Sequence, residues 1–193
     1  MDVAVSGSSG LVGSALVRFL TTEGHRVVRL VRTSPDVDDI LWDPARGVEN
    51  ASRLEAVDAV VHLAGKNLAA GRWTPERKED MRRSRVEGTR KLSESLARLT
   101  RRPKALVSAS AVGYYGNRGD EVLTEGSSPG MDFLAQVCQE WEAATEPAVR
   151  AGIRVVHLRF GMILSPAGGA LKKMLLPFKL GVGGRIGNGK QYI

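Results

Sequence analysis

Hydrophobic residues near the start of the chain change their spacing at a glycine-rich turn. The run Val3–Val5 is continuously apolar, which is typical of a strand buried on both faces of a parallel sheet. After the turn, apolar residues recur at helical spacing at Leu11, Val12, Ala15, Leu16, Phe19 and Leu20. A second, mostly apolar run, Val27–Val31, follows Gly24. The pattern predicts a strand, an amphipathic helix and a second strand.

The turn itself carries Gly7, Gly10 and Gly13 in the spacing G-x-x-G-x-x-G. Gly7 permits a tight turn, Gly10 lets the backbone approach a pyrophosphate, and Gly13 lets the helix pack closely on the strand. Free amides at the N-terminus of the helix face the phosphates in such a site. The usual spacing is G-x-G-x-x-G, and a glycine turn can be purely structural. The position between a strand and a helix nevertheless favours dinucleotide binding.

Later segments continue the alternation of strands and helices. Strands are predicted at Ile40 and Trp42, within the loop 33–50, and over 58–63, 105–108 and 154–159. Helices are predicted from Thr74 towards Thr100, over 132–142 and over 170–178. With 193 residues, 42% of them hydrophobic, the chain can form the core of one domain. The predicted fold class is α/β, a doubly wound, Rossmann-like parallel sheet with helices on both faces.

The formal net charge of +7 raises the question of nucleic-acid binding. A basic cluster occurs at Arg82, Arg83, Arg85, Arg90 and Lys91. The other basic residues are spread along the chain, without the interleaved aromatic residues of a single-strand-binding surface and without a groove-reading motif. A solvated surface explains the charge better. We therefore expect a small-molecule substrate and no nucleic acid.

The single cysteine, Cys138, rules out an internal disulfide. No apolar run approaches membrane-spanning length, and the chain opens on a glycine-interrupted strand rather than on the long apolar core of a signal peptide. No His, Cys or acidic residues show the spacing of metal ligands. We expect a cytoplasmic protein without a membrane or metal partner, and the sequence leaves its oligomeric state open between monomer and homodimer.

The second strand ends next to Arg32, about twenty residues after the glycines. At this position of a dinucleotide-binding fold an acidic residue binds the ribose 2′-hydroxyl, whereas an arginine accommodates a 2′-phosphate. The alternative is an exposed arginine at a strand end. The position favours NADP (NADPH) over NAD. Ala64 and Gly65 end a later strand with small residues that let a cofactor lie against the backbone, and His62 in that strand is interpreted as a core histidine.

Small hydroxyl residues and paired tyrosines accompany the strand predicted over 105–108. They are Ser108, Ser110, Tyr114 and Tyr115. Doubly wound sheets place their active sites at the carboxyl ends of strands. We therefore expect the chemistry here, with Ser110 orienting a carbonyl oxygen and Tyr114 or Tyr115 assisting.

The ordered set of motifs resembles an extended short-chain dehydrogenase/reductase of the nucleotide-sugar epimerase kind, and more closely the subgroup of epimerase family proteins of unknown substrate. The matching segments are Gly7–Gly13, Trp42–Pro44, His62–Gly65, Arg72–Trp73, Ser84–Arg85, Gly88–Thr89, Ser108–Gly116, Trp141–Glu142 and Leu158–Gly161. The resemblance implies a Rossmann-like sheet that binds NADP, and a smaller C-terminal region that completes the substrate cleft.

That resemblance also implies a division of the chain. Residues 1–164 correspond to the NAD(P)-binding domain, and residues 165–193 correspond to the start of the C-terminal substrate-cleft region. Residues 181–193 are glycine-rich and then turn apolar, as if entering a strand. We therefore expect the chain to end inside the fold.

The sequence departs from the family at its usual Tyr-x-x-x-Lys pair, in which the tyrosine exchanges a proton and the lysine holds the cofactor ribose. Counting back from Glu142 places Leu134 and Cys138 at these positions. Both lie on an apolar helix stripe, so we interpret them as packing residues. Retention of Ser110 and the tyrosines favours an NADP-dependent oxidoreductase or epimerase that acts on a small polar carbonyl or sugar-derived substrate. Loss of the pair favours a non-catalytic NADP-binding sensor or regulatory protein.

The predicted site residues form two groups. The expected cofactor-binding residues are Gly7, Ser9, Gly10, Leu11, Val12, Gly13, Arg32, Leu63, Ala64, Gly65, Arg85 and Ser108. The expected catalytic residues are Ser110, Tyr114 and Tyr115. No residue is expected to bind a metal.

Overall fold

A seven-stranded sheet organises the part of the chain that the computed structural model describes, which comprises residues 1–33, 36–68, 71–185 and 187–189. The strands are β1 Asp2–Ser6, β2 Arg26–Val31, β3 Ile40–Asp43, β4 Gly47–Val48, β5 Ala59–His62, β6 Ala105–Ala111 and β7 Arg154–Phe160. The α-helices are α1 Leu11–Thr22, α2 Pro75–Ala97, α3 Phe133–Ala143, α4 Glu146–Arg150 and α5 Gly169–Lys179, with 3-10 helices at Ala51–Ala56 and Val112–Tyr115.

The strand order is β4-β3-β2-β1-β5-β6-β7, and β1 pairs in parallel with both β2 and β5. Ser6 lies opposite His62, which lies opposite Ser108 on β6, so three polar residues are in register near the carboxyl ends of three strands. The antiparallel strand β4 was not predicted, because two residues of which one is glycine carry no alternation that could be recognised. The mostly parallel sheet with intervening helices confirms the predicted α/β Rossmann-like class.

Helix boundaries follow from local capping. The Thr74 hydroxyl oxygen accepts a hydrogen bond from the Arg77 N–H at 3.3 Å, and Pro75 occupies the first turn of α2. The Asp132 carboxylate accepts from the Ala135 N–H at 2.9 Å and begins α3 in the same way. Both helices therefore begin where the sequence predicts them. The main hydrophobic core joins the sheet to α2, and its largest fully buried members include Ile40, Leu54, Val60, Leu92, Leu96 and Leu106.

The chain divides into two compact units, Met1–Arg159 and Phe160–Ile193. Helix α5 in the second unit was predicted over 170–178, and none of its residues is buried within the described structure. Its exposed apolar side chains include Leu176 and Phe178. The assignment of residues 165–193 to a substrate-cleft region stays a prediction, and the apolar end that it includes, residues 190–193, lies outside the described residues.

Candidate functional site

A cleft of about 950 Å³ opens at the carboxyl ends of β1, β2 and β5. Seven of the predicted cofactor-binding residues line it, namely Gly7, Ser9, Gly10, Arg32, Leu63, Ala64 and Gly65. Open parallel sheets bind their ligands beyond the carboxyl ends of the strands, at the point where the strand order reverses. The cleft lies at this position. Its walls are completed by β3 and α2, through residues that include Trp42, Pro44, Ser84 and Glu87.

The glycine turn between β1 and α1 is shaped by close backbone contacts. Gly7 has φ +71°, and a Cβ on it would lie 2.8 Å from the Leu63 carbonyl carbon. A Cβ on Gly13 would lie 2.1 Å from the Gly7 oxygen, so only glycine allows α1 to begin so close to the turn. Gly10 caps α1 without a side chain. The first amides of α1 therefore lie next to Gly10 in the cleft lining and have no intrahelical partners, so they can bind a phosphate.

Three predicted cofactor-binding residues belong to the first turn of α1 and do not contribute their side chains to the cleft. Leu11, Val12 and Gly13 form the first turn of α1 and do not line the cleft, and Gly13 is buried. Their N–H groups have no acceptor one turn earlier in the helix. These three residues can therefore contribute to phosphate binding through their backbone N–H groups.

Four arginines line the cleft, and one of them, Arg83, is paired with Asp80 at 2.7 Å. Arg29 is already neutralised, because its Nε and Nη2 donate to the two oxygens of the buried Asp39 carboxylate at 2.8 Å each, and it also pairs with Asp36. Arg32 and Arg18 form no ion pair with any residue that the structure describes, and Arg32 is exposed. Two unpaired guanidinium groups at the mouth of one cleft suit a dianionic phosphate. Sequence reasoning found Arg32 but missed Arg18, since nothing in the helical pattern of α1 marks it.

Arg85 lies beside the cleft rather than in its lining. Its Nη1 donates to the Met81 oxygen at 3.2 Å and its Nη2 to the Lys66 oxygen at 3.0 Å, and its guanidinium stacks on the Trp141 ring at 5.2 Å. A Cβ on Gly65 would lie 3.4 Å from the Arg85 guanidinium carbon. Burial lowers the pKa of Arg85. The side chain thus supports the loop that follows β5.

Ser108 is also removed from the cleft, because it is fully buried on β6 opposite His62. His62 is a satisfied core histidine, as predicted: its Nδ1 lies 2.6 Å from the Ser6 hydroxyl and its Nε2 lies 3.0 Å from the Thr89 hydroxyl. Trp141 Nε1 donates to the same Thr89 oxygen at 2.9 Å. Burial lowers the pKa of His62 to about 4, so the imidazole is neutral at pH 7.

A second polar cluster brings together Ser110, Glu142, Arg159 and Tyr115. The Ser110 hydroxyl donates to Glu142 Oε1 at 2.6 Å, and Arg159 donates to both carboxylate oxygens, at 2.8 Å and 2.9 Å. Although burial opposes it, donation from Arg159 and Ser110 lowers the pKa of Glu142. Ser110 is 2% exposed, and its proton is committed to Glu142. In this arrangement Ser110 positions the carboxylate and does not present a donor to a carbonyl substrate.

Both tyrosines contact the Arg159 guanidinium. Arg159 lies 3.5 Å from the centre of the Tyr114 ring, and its Nη1 donates to the Tyr115 hydroxyl oxygen at 2.9 Å. Because arginine can only donate, the Tyr115 oxygen is the acceptor and its hydrogen remains to be donated. None of the described residues accepts that hydrogen. Sequence reasoning included Glu142 and Arg159 in matched motifs but gave them no role, because their pairing joins two distant segments.

Leu134 and Cys138, the residues that counting back from Glu142 places at the Tyr-x-x-x-Lys positions, both contact one glycine. A Cβ on Gly113 would lie 3.5 Å from the Leu134 Cβ and 3.9 Å from the Cys138 Sγ, so both side chains pack beneath this glycine. Cys138 is buried, and burial raises the pKa of its thiol. The packing interpretation of both residues is confirmed, and the thiol is protonated at neutral pH.

The residues that the structure describes provide neither a metal site nor a membrane-spanning helix. No group of three or more His, Cys, Asp or Glu side chains there could hold a metal ion. Among the helices there, none has both the length and the apolar character needed to span a membrane.

Comparison with known proteins identifies the family. Residues 3–175 match the model of the NAD dependent epimerase/dehydratase family. An epimerase family protein of Mycobacterium bovis is 46% identical over 192 residues, which cover 99% of this chain and 63% of the relative. The chain belongs to the NAD dependent epimerase/dehydratase family. This epimerase-family chain spans 63% of the length of that curated relative.

Solved structures of two epimerase-family relatives share the fold. Human epimerase family protein SDR39U1, solved with NADPH, superposes with a TM-score of 0.88 at 35% identity over 100% of this chain and 64% of its own. The nucleoside-diphosphate sugar epimerase of Corynebacterium glutamicum gives a TM-score of 0.85 at 45% identity over 98% of this chain and 39% of its own. The predicted family and the capacity of the fold to bind NAD(P) are thereby confirmed.

Proposed function

We propose that this chain binds NADP(H) in the cleft formed by β1, β2 and β5. The observation that carries the proposal is the unpaired Arg32 at the end of β2, in the same cleft as the glycine turn. The pyrophosphate binds the first amides of α1, and the 2′-phosphate binds Arg32 with help from Arg18. The human relative, whose structure contains NADPH, supports this assignment.

The reaction that the second cluster supports is hydride exchange between this cofactor and a small polar carbonyl or sugar-derived substrate, as in an oxidoreductase or epimerase. Tyr115 serves as a neutral donor to the oxygen on which negative charge develops, because its own oxygen accepts from Arg159. Glu142 and Ser110 fix the position of Arg159. The name of the Corynebacterium glutamicum neighbour, a nucleoside-diphosphate sugar epimerase, supports this substrate class.

A second candidate function is a non-catalytic NADP-binding sensor or regulatory protein. The observation that favours it is Cys138, a buried and protonated thiol at the position where the family has its lysine. Such a protein would bind NADPH without transferring its hydride.

Hydride transfer tests the two candidates against each other. NADPH is mixed with the protein and a panel of carbonyl compounds that includes nucleotide-linked keto sugars, and loss of reduced nicotinamide absorbance is followed. Turnover that falls by about 10²–10³ in Tyr115→Phe and persists in Cys138→Ala supports the enzyme. Tight NADPH binding with no oxidation by any compound supports the sensor.

A further inference from the structure

The β3 side of the cleft lies between a loop and a helix. Pro44 and Ala45, after β3, form one wall, and Ser84 and Glu87 on α2 form another. The helix comes close because Gly88 has no side chain: a Cβ there would lie 3.4 Å from both Trp42 and Pro44. Glu87, which precedes Gly88 on α2, lines this side of the cleft.

Charge distinguishes the two carboxylates that line the cleft. Asp80 is neutralised by Lys66 and Arg83, each at 2.7 Å. Glu87 is exposed and forms no ion pair or hydrogen bond with any part of the chain that the structure describes. A free carboxylate repels a polyanionic ligand unless that ligand presents a hydrogen-bond donor to it. A ligand of this cleft therefore needs a hydrogen-bond donor next to Glu87.

Strand order determines which part of the proposed cofactor reaches Glu87. In the proposed binding mode, the pyrophosphate would lie at the end of β1 and the phosphorylated ribose at the end of β2. Since β3 follows β2 outward in the sheet, the base attached to that ribose would extend towards the end of β3, where Pro44 and residues of α2 line the cleft. On the base itself, the group that can donate to Glu87 while remaining uncharged is the exocyclic amine of adenine.

We propose that Glu87 is a specificity-determining residue that accepts a hydrogen bond from the 6-amino group of the adenine nucleotide. This inference rests on the proposed function, because it assumes a cofactor in the cleft. A purine with a 6-oxo group places an acceptor against the carboxylate instead of a donor. The cleft therefore prefers purines with a 6-amino group. Glu87 provides specificity for the base, and Arg32 provides specificity for the 2′-phosphate.

The test compares reduced NADPH with its hypoxanthine analogue, which differs in carrying oxygen in place of the 6-amino group. Affinities are measured by nicotinamide fluorescence in wild type, Glu87→Gln and a matched control, Glu94→Gln. Glu94 lies on the same helix and pairs with Lys91, outside the cleft. We expect wild type and the control to prefer NADPH by about tenfold or more, the size of one charge-assisted hydrogen bond. The Glu87→Gln variant loses or inverts this preference, because its amide can donate to the 6-oxo group.

The possible failures are distinguishable. Equal affinity of the wild type for the two nucleotides overturns the role of Glu87 and leaves the proposed function intact. Equal weakening of both nucleotides in Glu87→Gln means that the carboxylate holds a ribose hydroxyl, which also overturns it. Absence of binding by either nucleotide overturns the proposed function together with this inference.

Discussion

Arg159 donates from Nη1 to the hydroxyl oxygen of Tyr115 across 2.9 Å, and this contact sets the direction of the phenol. Arginine has no acceptor, so the Tyr115 hydrogen points elsewhere. In families that use a lysine-assisted tyrosine, the phenol exchanges a proton. Here the cation next to the phenol is itself bound to Glu142 through two hydrogen bonds, which makes Tyr115 a donor held in place.

Replacement of Tyr115 by phenylalanine tests this role. Once a substrate is found, Tyr115→Phe should lower turnover by about 10²–10³, the cost of removing one donor to a developing oxyanion. NADPH affinity should remain unchanged, because Tyr115 does not line the cofactor cleft. Single-turnover kinetics measures the loss. Cys138→Ala is the control and should retain wild-type turnover, and a turnover lost in Cys138→Ala but kept in Tyr115→Phe would assign the chemistry to α3.

Arg159 and Glu142 should be coupled in stability. The Arg159→Met variant leaves the Glu142 carboxylate, whose side chain is 12% exposed, without its cation, and we expect a loss of about 3 kcal/mol in the free energy of unfolding. Adding Glu142→Gln should recover part of that loss. Urea unfolding of the single and double variants measures the coupling. The exposed pair Arg150 and Glu146 is the control, and its coupling energy should be less than about 1 kcal/mol. Additive losses of stability in the Arg159 and Glu142 variants would contradict their pairing.

Stability should fall as the pH falls from about 6.5 to about 4. The pKa of His62 is about 4 in the folded protein because the ring is buried, whereas it is near 6.5 in the unfolded chain. The unfolded state therefore binds more protons in this window, and the contribution of His62 reaches about 3 kcal/mol. Burial lowers the pKa of His157 too, so it adds in the same direction. Urea unfolding measures the change in the free energy of unfolding between pH 7 and pH 4.5. This change should be smaller in His62→Gln than in wild type, and an equal change would contradict the buried neutral ring.

The elements that the sequence predicts correctly are those with local signals. The glycine turn, the Thr74 cap and the buried strands need no knowledge of distant residues, and all appear in the structure. The pairing of Glu142 with Arg159 depends on how α3 and β7 pack, which no local pattern encodes. For the same reason Arg18 was missed. An arginine on an amphipathic helix looks like an ordinary exposed residue until the cleft beside it is known.

Ser110 shows a different limit of sequence reasoning. Its position at the end of β6 was predicted correctly, yet the direction of its hydroxyl follows from the nearest acceptor, Glu142. The sequence could place a hydroxyl near the chemistry but could not show that its proton is already donated. For the same reason the sequence could not choose between Tyr114 and Tyr115. In the structure, Arg159 donates a hydrogen bond to the Tyr115 hydroxyl but stacks on the Tyr114 ring.

The proposed cofactor preference depends on Arg32, which we expect to bind the 2′-phosphate of NADP(H). Calorimetric titration of NADPH and NADH into wild type, Arg32→Ala and the control Arg90→Ala tests it most directly, since Arg90 is exposed on α2 and does not line the cleft. Loss of a charge-assisted arginine–phosphate contact should remove a preference for NADPH of roughly ten- to a hundred-fold. Wild type and Arg90→Ala should show that preference, and Arg32→Ala should bind both nucleotides with similar affinity. Equal affinities in wild type, or an unchanged preference in Arg32→Ala, would contradict the account.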